Sequence, residues 1–254
     1  MRTRLKFYCL LPFALLLLSV QSMAQINSVA EKWITEMLDK KTPYNVQVLN
    51  NDFIIKSVNA YPPGNLTKMF VEFLIENNLL KNKVVADVGF GCFPLGIIAA
   101  KNGADTVIGS DVNDYALQCA RDNLALNDID TKKVHLFKGD GVLPLLSNFA
   151  GKVDIIVAGD PWDSISKDDF EAIAPERKPL SRAFYDVNDD LMTSLMVKGF
   201  KLLSNNGRMF ITSSTRVIGR IKQLCSKHQL DYKIVKEAGE PGQMDYVLEI
   251  IRKK

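Results

Sequence analysis

Apolar and polar positions follow a repeating order along the chain. Short apolar runs rich in β-branched residues are each followed by a turn and then by a stretch with helical spacing. Val84-Val85-Ala86-Asp87-Val88 has the length and branching of a strand buried on both faces. Two glycines at alternate positions, Gly89 and Gly91, follow it, and Leu95 to Ala100 then reads as a buried helix. A second run, Thr106 to Ser110, ends in Asp111, and a third, Val134 to Phe137, closes on Gly139-Asp140-Gly141. Between them, Asn113 or Asp114 caps a helix with Leu117, Ala120 and Leu124 at core spacing. A fourth run, Val153 to Ala158, leads into Gly159-Asp160-Pro161-Trp162.

The flanks extend the same alternation. Ser28-x-x-Glu31 reads as a capping box that opens a helix with Val29, Trp33, Ile34, Met37 and Leu38 on one face. Lys40 to Asn51 is polar and turn-rich, and a short strand is expected from Asp52 to Ser57. Prolines fix an extended segment within Asn59 to Thr67, and the helix beyond it turns Leu66, Phe70, Phe73 and Leu74 inward. Past strand four, Ser164 to Pro179 is a long charged segment, and Asp189 to Leu203 has the spacing of one amphipathic helix. Arg208 to Thr212 reads as a strand, Val217 to His228 as a helix, and Lys233 to Lys236 with Asp245 to Ile251 as two closing strands. Strands alternating with helices, then a terminal hairpin, predict an α/β fold with a doubly wound sheet and right-handed crossovers.

Strand, glycine turn and helix form the geometry that brings a backbone close to a nucleotide. Asp111, at the end of the next strand, is a carboxylate placed to take the two hydroxyls of a ribose. A nicotinamide or flavin fingerprint needs a third glycine where this chain has Pro94. The acid here precedes the glycines instead, as Asp87-x-Gly89-x-Gly91.

That arrangement resembles the first motif of the class I S-adenosylmethionine-dependent methyltransferases, D/E-x-G-x-G-x-G, with Phe93 standing where the third glycine falls. The resemblance runs from about Asn59 to the C-terminus. It implies a Rossmann-like seven-stranded sheet ending in an antiparallel strand hairpin, and S-adenosyl-L-methionine as cofactor. It further implies that Asp87, Gly89, Gly91 and Asp111 bind that cofactor, that Asp140 holds the adenine ring, and that the proline segment before the first helix lines the pocket.

Gly159-Asp160-Pro161-Trp162 resembles the N-P-P-Y-type motif of amino-group methyltransferases, which act on adenine exocyclic nitrogen or on the glutamine amide of release factors. In such a motif oxygens accept the hydrogens of a conjugated nitrogen while an aromatic face supports the planar group, which aims the lone pair at the methyl donor. The resemblance implies N-methylation of a planar amine or amide, an RNA base amine or a protein glutamine, with Asp160, Pro161 and Trp162 as the catalytic group. Gly159 or Asp160 falls at the polar position depending on register, and under either register Asp160 is the expected hydrogen-bond acceptor and Trp162 the stacking plane. Arg182 to Asp186 and the helix after it are similar to small-domain enzymes that modify RNA bases or protein glutamine. Two rivals stand beside this reading: a catalytically degenerate nucleotide-binding protein of the same fold, and a nicotinamide-dependent oxidoreductase.

Composition changes the picture in three places. The 254 residues are 47% hydrophobic and 24% charged, ordinary for a globular chain, but residues 1–24 are not. Arg2, Arg4 and Lys6 precede the apolar run Phe7 to Val20, and Ser22-Met23-Ala24 offers small residues for cleavage, which is the layout of a signal peptide. The apolar run is short for a membrane span. Two expectations follow: export to the periplasm or medium with a mature N-terminus at Gln25, or translation from Met23 and a cytoplasmic protein. Without the leader the 32 basic residues lose three and balance the 29 acids, so an RNA acceptor would need a local basic patch, and no DNA partner is indicated. The methyl acceptor could be RNA, a protein amide or a small molecule. Beyond Cys9 in the leader, Cys92, Cys119 and Cys225 are an odd count that does not read as a disulfide framework, and with only two histidines no metal site is expected.

Overall fold

In the computed structural model, residues 28–253 are described. The leader reading and Cys9 lie outside the described residues. Among the described residues no helix is long and apolar enough to cross a membrane.

The first helix, α1 (residues 28–38), is followed by a hairpin of β1 (Tyr44–Val48) and β2 (Asn51–Ile55). Then come α2 (Asn65–Glu76), β3 (Val84–Val88), α3 (Pro94–Lys101), β4 (Thr106–Asp111), α4 (Asp114–Leu126) and β5 (Val134–Lys138). A short helix α5 (Leu146–Phe149) leads to β6 (Val153–Gly159), and β7 (Asp163–Ile165), α6 (Lys167–Ala172), α7 (Lys178–Ser181) and β8 (Tyr185–Val187) form an excursion. The chain returns through α8 (Asp190–Thr193), β9 (Leu203–Ser214), α9 (Ile218–Lys227), β10 (Leu230–Glu240) and β11 (Gln243–Arg252).

Seven strands form one sheet in the order β10-β11-β9-β6-β3-β4-β5, the fold that the sequence predicts. β3, β4, β5, β6 and β9 run parallel, and β11 lies antiparallel between β9 and β10. Both faces are covered. Val85, Val107, Val157 and Phe210 meet α2, α3 and α4 through Phe70, Phe73, Ile97 and Leu117. Their strand neighbours Ala86, Ile108, Ile156 and Ile211 meet the opposite layer through Met192, Leu195, Ile221 and Leu224. Burial on both sides is why these strands read as unbroken apolar runs. The chain winds outward from β3 to β5, then returns to place β6 on the other side of β3, so a crevice opens at the carboxyl ends of β3 and β6.

Four segments depart from the sequence expectation. Part of the polar stretch Lys40 to Asn51 is strand β1, turned into β2 by Leu49 and Asn50, both with positive φ (46° and 62°). Its place is set by α4: the Ile54 N–H donates to Asn123 Oδ1 (2.7 Å) and Asn127 Nδ2 donates to the Asp52 carbonyl (2.8 Å). On α1 the buried stripe is Ala30, Ile34 and Met37, while Trp33 is exposed. The stripe packs on Leu180, Phe184 and Tyr185, and Glu31 accepts hydrogen bonds from Tyr185 and Arg177. The stretch from Asp189 to Leu203 is not one regular helix. It starts as α8, relaxes to π pitch over Ser194–Lys198 and tightens over Gly199–Lys201, which keeps Met192, Leu195, Met196 and Leu202 buried together. The closing strands are longer than their short apolar cores suggest, because β10 is an edge strand whose polar residues face water.

Phe93 keeps the backbone conformation of the glycine it replaces (φ 65°, ψ 35°) and is fully buried. Gly96 makes the room: a Cβ there would stand 2.1–2.5 Å from three Phe93 ring atoms. Gly96→Ala should therefore cost about 1–3 kcal/mol of stability through overpacking. Thermal or urea unfolding measures this, and an unchanged midpoint would show that the ring is not confined as described.

Candidate functional site

The floor of the crevice is the loop between β3 and α3. Gly89 (φ 71°), Gly91 (φ 53°) and Phe93 alternate in the left-handed region, which raises a tight arch over the end of β3. Open space faces Gly89 where a side chain would begin, so a ligand can approach its backbone closely. The Gly89 N–H donates to the Ser110 carbonyl (2.8 Å), and Asp111 latches the arch from β4. One Asp111 oxygen accepts from the Gly91 N–H and the other from the Asn113 N–H, each at 2.9 Å. Burial pushes the Asp111 carboxyl up to about 6, against the pull of the Asn113, Gly91 and Val112 N–H groups.

Beneath the arch lies Asp87, 1% exposed. One oxygen accepts from the Gly96 N–H in the first turn of α3 at 3.2 Å. Burial pushes Asp87 up to about 8; the Gly96 N–H opposes this and the negative Asp111 adds to it. Asp140 sits at the rim just past β5, beside Gly139, whose N–H donates to the Asp111 carbonyl (3.0 Å).

The other wall is the end of β6. The Asp160 side chain is fully covered: Arg220 Nη1 donates to one oxygen (3.0 Å) and the Ser213 hydroxyl to the other (3.4 Å). Burial outweighs the guanidinium and pushes Asp160 up to about 8. Arg220, from α9, also donates to Asp186 (2.5 Å), to Asp189 (2.8 Å) and to the Pro161 carbonyl (3.0 Å). One cation thus ties the end of β6 to the end of β8. Trp162 lies edge-on to Trp33 of α1 (6.2 Å, 73°) and to Phe184 (5.1 Å, 71°), and Phe184 meets Tyr61 in the same way (5.5 Å).

Loop and wall share one cavity of about 600 Å³, within the ordinary range for small-molecule sites. Asp87, Gly89, Gly91, Asp111, Asp140, Asp160, Pro161 and Trp162 all line it, and so does the proline segment from Tyr61 to Gly64. Sequence reasoning missed Arg220, Asp186 and Trp33. The α9 pattern showed only its apolar stripe, and nothing local marks Arg220 as the partner of carboxylates 31 to 60 positions away. Among the described residues no group of histidine, cysteine and acidic side chains could hold a metal ion.

The family model for ribosomal protein L11 methyltransferase (PrmA) matches residues 65–159, which run from α2 to the end of β6. The L11 methyltransferase of Caldanaerobacter subterraneus is 42% identical over 99 residues, 39% of this chain and 30% of that protein. The chain therefore spans under a third of the length of that relative. The release factor glutamine methyltransferase of Flavobacterium psychrophilum is 28% identical over 197 residues, 70% of this chain and 66% of that one. Among solved structures, the T. thermophilus 16S rRNA methyltransferase RsmC, in complex with AdoMet and guanosine, superposes with a TM-score of 0.59 at 16% identity, over 84% of this chain and 50% of that one. Over residues 65–159 and in these relatives the similarity supports a class I S-adenosylmethionine-dependent methyltransferase. The matched residues include the glycine arch with Asp87, Asp111 and Asp140, while α1, α6 and α7 lie outside them.

The raised Asp87 carboxyl gives a pH prediction. Its folded-state value, about 8, lies above that of the unfolded chain, so the folded protein holds a proton that the unfolded chain releases between roughly pH 4 and pH 8. The stability tied to Asp87 is complete below the unfolded value and is lost as pH rises through about 8. Asp87→Asn should flatten this part of the profile and raise the melting temperature of the ligand-free protein near pH 8. Parallel wild-type and mutant profiles would argue against a protonated Asp87.

Proposed function

We propose that the chain transfers a methyl group from S-adenosylmethionine to the nitrogen of a planar amide or amine presented by a protein. The observation that carries this reading is that a ribose-type carboxylate, Asp111, and an aromatic wall, Trp162, open into the same cavity. When bound, S-adenosylmethionine supplies an electrophilic methyl group on a positively charged sulfur. The residues present fit such a ligand. Each Asp111 oxygen accepts one backbone N–H and retains a second lone pair, enough for two ribose hydroxyls. Gly89 leaves its backbone open to close approach, and Asp140 at the rim stands beside the backbone proposed to edge the adenine ring. Asp87 would meet the cationic end of the ligand, where a positive charge returns its carboxyl to the ionised form.

On the acceptor side Trp162 offers a flat apolar surface that Phe184 and Trp33 hold edge-on. Asp160 and the Pro161 carbonyl are held by Arg220, so their role is to fix the strand end that carries Trp162. Orientation of this kind can be worth several kcal/mol of the barrier. The relatives named for ribosomal protein L11 and for release factor glutamine support a protein acceptor. The charge balance of residues 25–254 supports the same choice over RNA.

Two measurements test the two halves. Asp111→Ala removes a charged acceptor from two hydroxyls, at roughly 1.5–3 kcal/mol for such bonds, so S-adenosylhomocysteine affinity by calorimetry should fall about ten- to a hundredfold. Absence of binding to the wild-type protein would reject the cofactor. Trp162→Ala should leave that affinity nearly intact while transfer of labelled methyl to a cell extract drops on the order of 10²-fold. Label recovered in RNA, and not in protein, would reject the proposed acceptor.

A further inference from the structure

Cys92 lies inside the arch and Cys119 on the inner face of α4, 27 positions apart in sequence. Their sulfurs are in direct contact at 2.6 Å, well inside the separation of two unbonded sulfur atoms. Both residues are buried, Cys92 completely and Cys119 to 4% exposure. Ile55 and Ala60 enclose the pair, with Tyr44 and Val46 of the hairpin packed over them. The surrounding polar groups hold the two side chains in place: Asn123 Nδ2 donates to the Cys92 carbonyl and to Cys119 Sγ, each at 3.3 Å, and the Cys119 thiol donates to the Ile54 carbonyl at 3.5 Å. Cys225, in contrast, belongs to the core on the opposite face of the sheet.

We propose that Cys92 and Cys119 form a disulfide that fastens the cofactor arch to α4. In the reaction each thiol gives up its proton, one sulfur–sulfur bond forms, and the two electrons pass to an oxidant of the disulfide class. That oxidant, a low-molecular-weight disulfide or a disulfide oxidoreductase, leaves as two thiols. Because the hairpin seals the pair, and the Cys119 thiol beside it together with burial holds the Cys92 thiol protonated, the exchange takes place while the chain folds, before β1 and β2 close over α4. The bond goes beyond the methyltransferase reading and does not depend on it. Its consequence is mechanical. Gly91 and Phe93 flank Cys92, so the bond restrains the residues on either side of it in the arch that Asp111 latches from β4.

The test uses the full chain, refolded either with oxidised glutathione or with a thiol reductant. Free cysteines are then alkylated in denaturant and read peptide by peptide. After oxidation, Cys92 and Cys119 should be protected together, become labelled only after reduction, and leave the intact chain lighter by two hydrogens. Cys225 should label in both preparations. The oxidised protein should melt roughly 5–15 °C above the reduced one, as expected for a typical disulfide in a chain of this size. Cys119→Ser should abolish that difference. Full labelling of Cys92 and Cys119 after oxidative refolding would overturn the proposal, as would pairing of either one with Cys225 or Cys9.

Discussion

Three carboxylates are held out of water along one edge of the sheet, and a single guanidinium stands among them. Among the described residues Asp87 and Asp111 have no cationic partner and lean on backbone N–H groups, while Asp160 shares Arg220 with Asp186 and Asp189. Burial raises each of the three above its ordinary value, so the edge stores unfavourable electrostatics in the ligand-free protein. Two apolar cores, one on each face of the sheet, must hold that edge in place. A protein selected for stability alone would not place charge there, and conflict of this sort is concentrated at functional sites.

The geometry of the arch follows from the same constraint. The left-handed arch turns the Gly91 N–H toward Asp111, while Asp87 receives the Gly96 N–H from the first turn of α3. Phe93 shows how far the motif can bend. Its backbone does what a glycine would do, and its ring fills the space that Gly96 leaves against the core. The arch is thereby tied into the hydrophobic interior, which makes it less free to move than an all-glycine loop.

On the opposite wall, Arg220 does for β6 what Asp111 does for β3. Reaching in from α9, it joins the end of a central strand to β8, at the far end of the excursion that follows that strand. That excursion brings Phe184 and, through α1, Trp33 against Trp162. The β6 wall of the cavity is therefore assembled from three separate stretches of sequence, and the arch chiefly from one.

This difference explains what could be read in advance. The sequence by itself determined β3, the arch, α3, β4 and a capped start of α4 at Asn113 or Asp114, because strand burial, glycine turns and helix capping act within a few residues. It also determined the sheet type, since strands covered on both faces must be apolar throughout. Only the tertiary structure decided the β1–β2 hairpin, whose polar alternation carries meaning once Asn123 and Asn127 supply its outer hydrogen bonds. The same holds for Arg220, an ordinary residue of an amphipathic helix until folding surrounds it with carboxylates, and for Cys92 and Cys119, distant in sequence and in contact in space. Periodicity reports which face of an element is buried. It carries no record of which partner the fold brings to that face, because that choice is made by contacts between residues tens of positions apart.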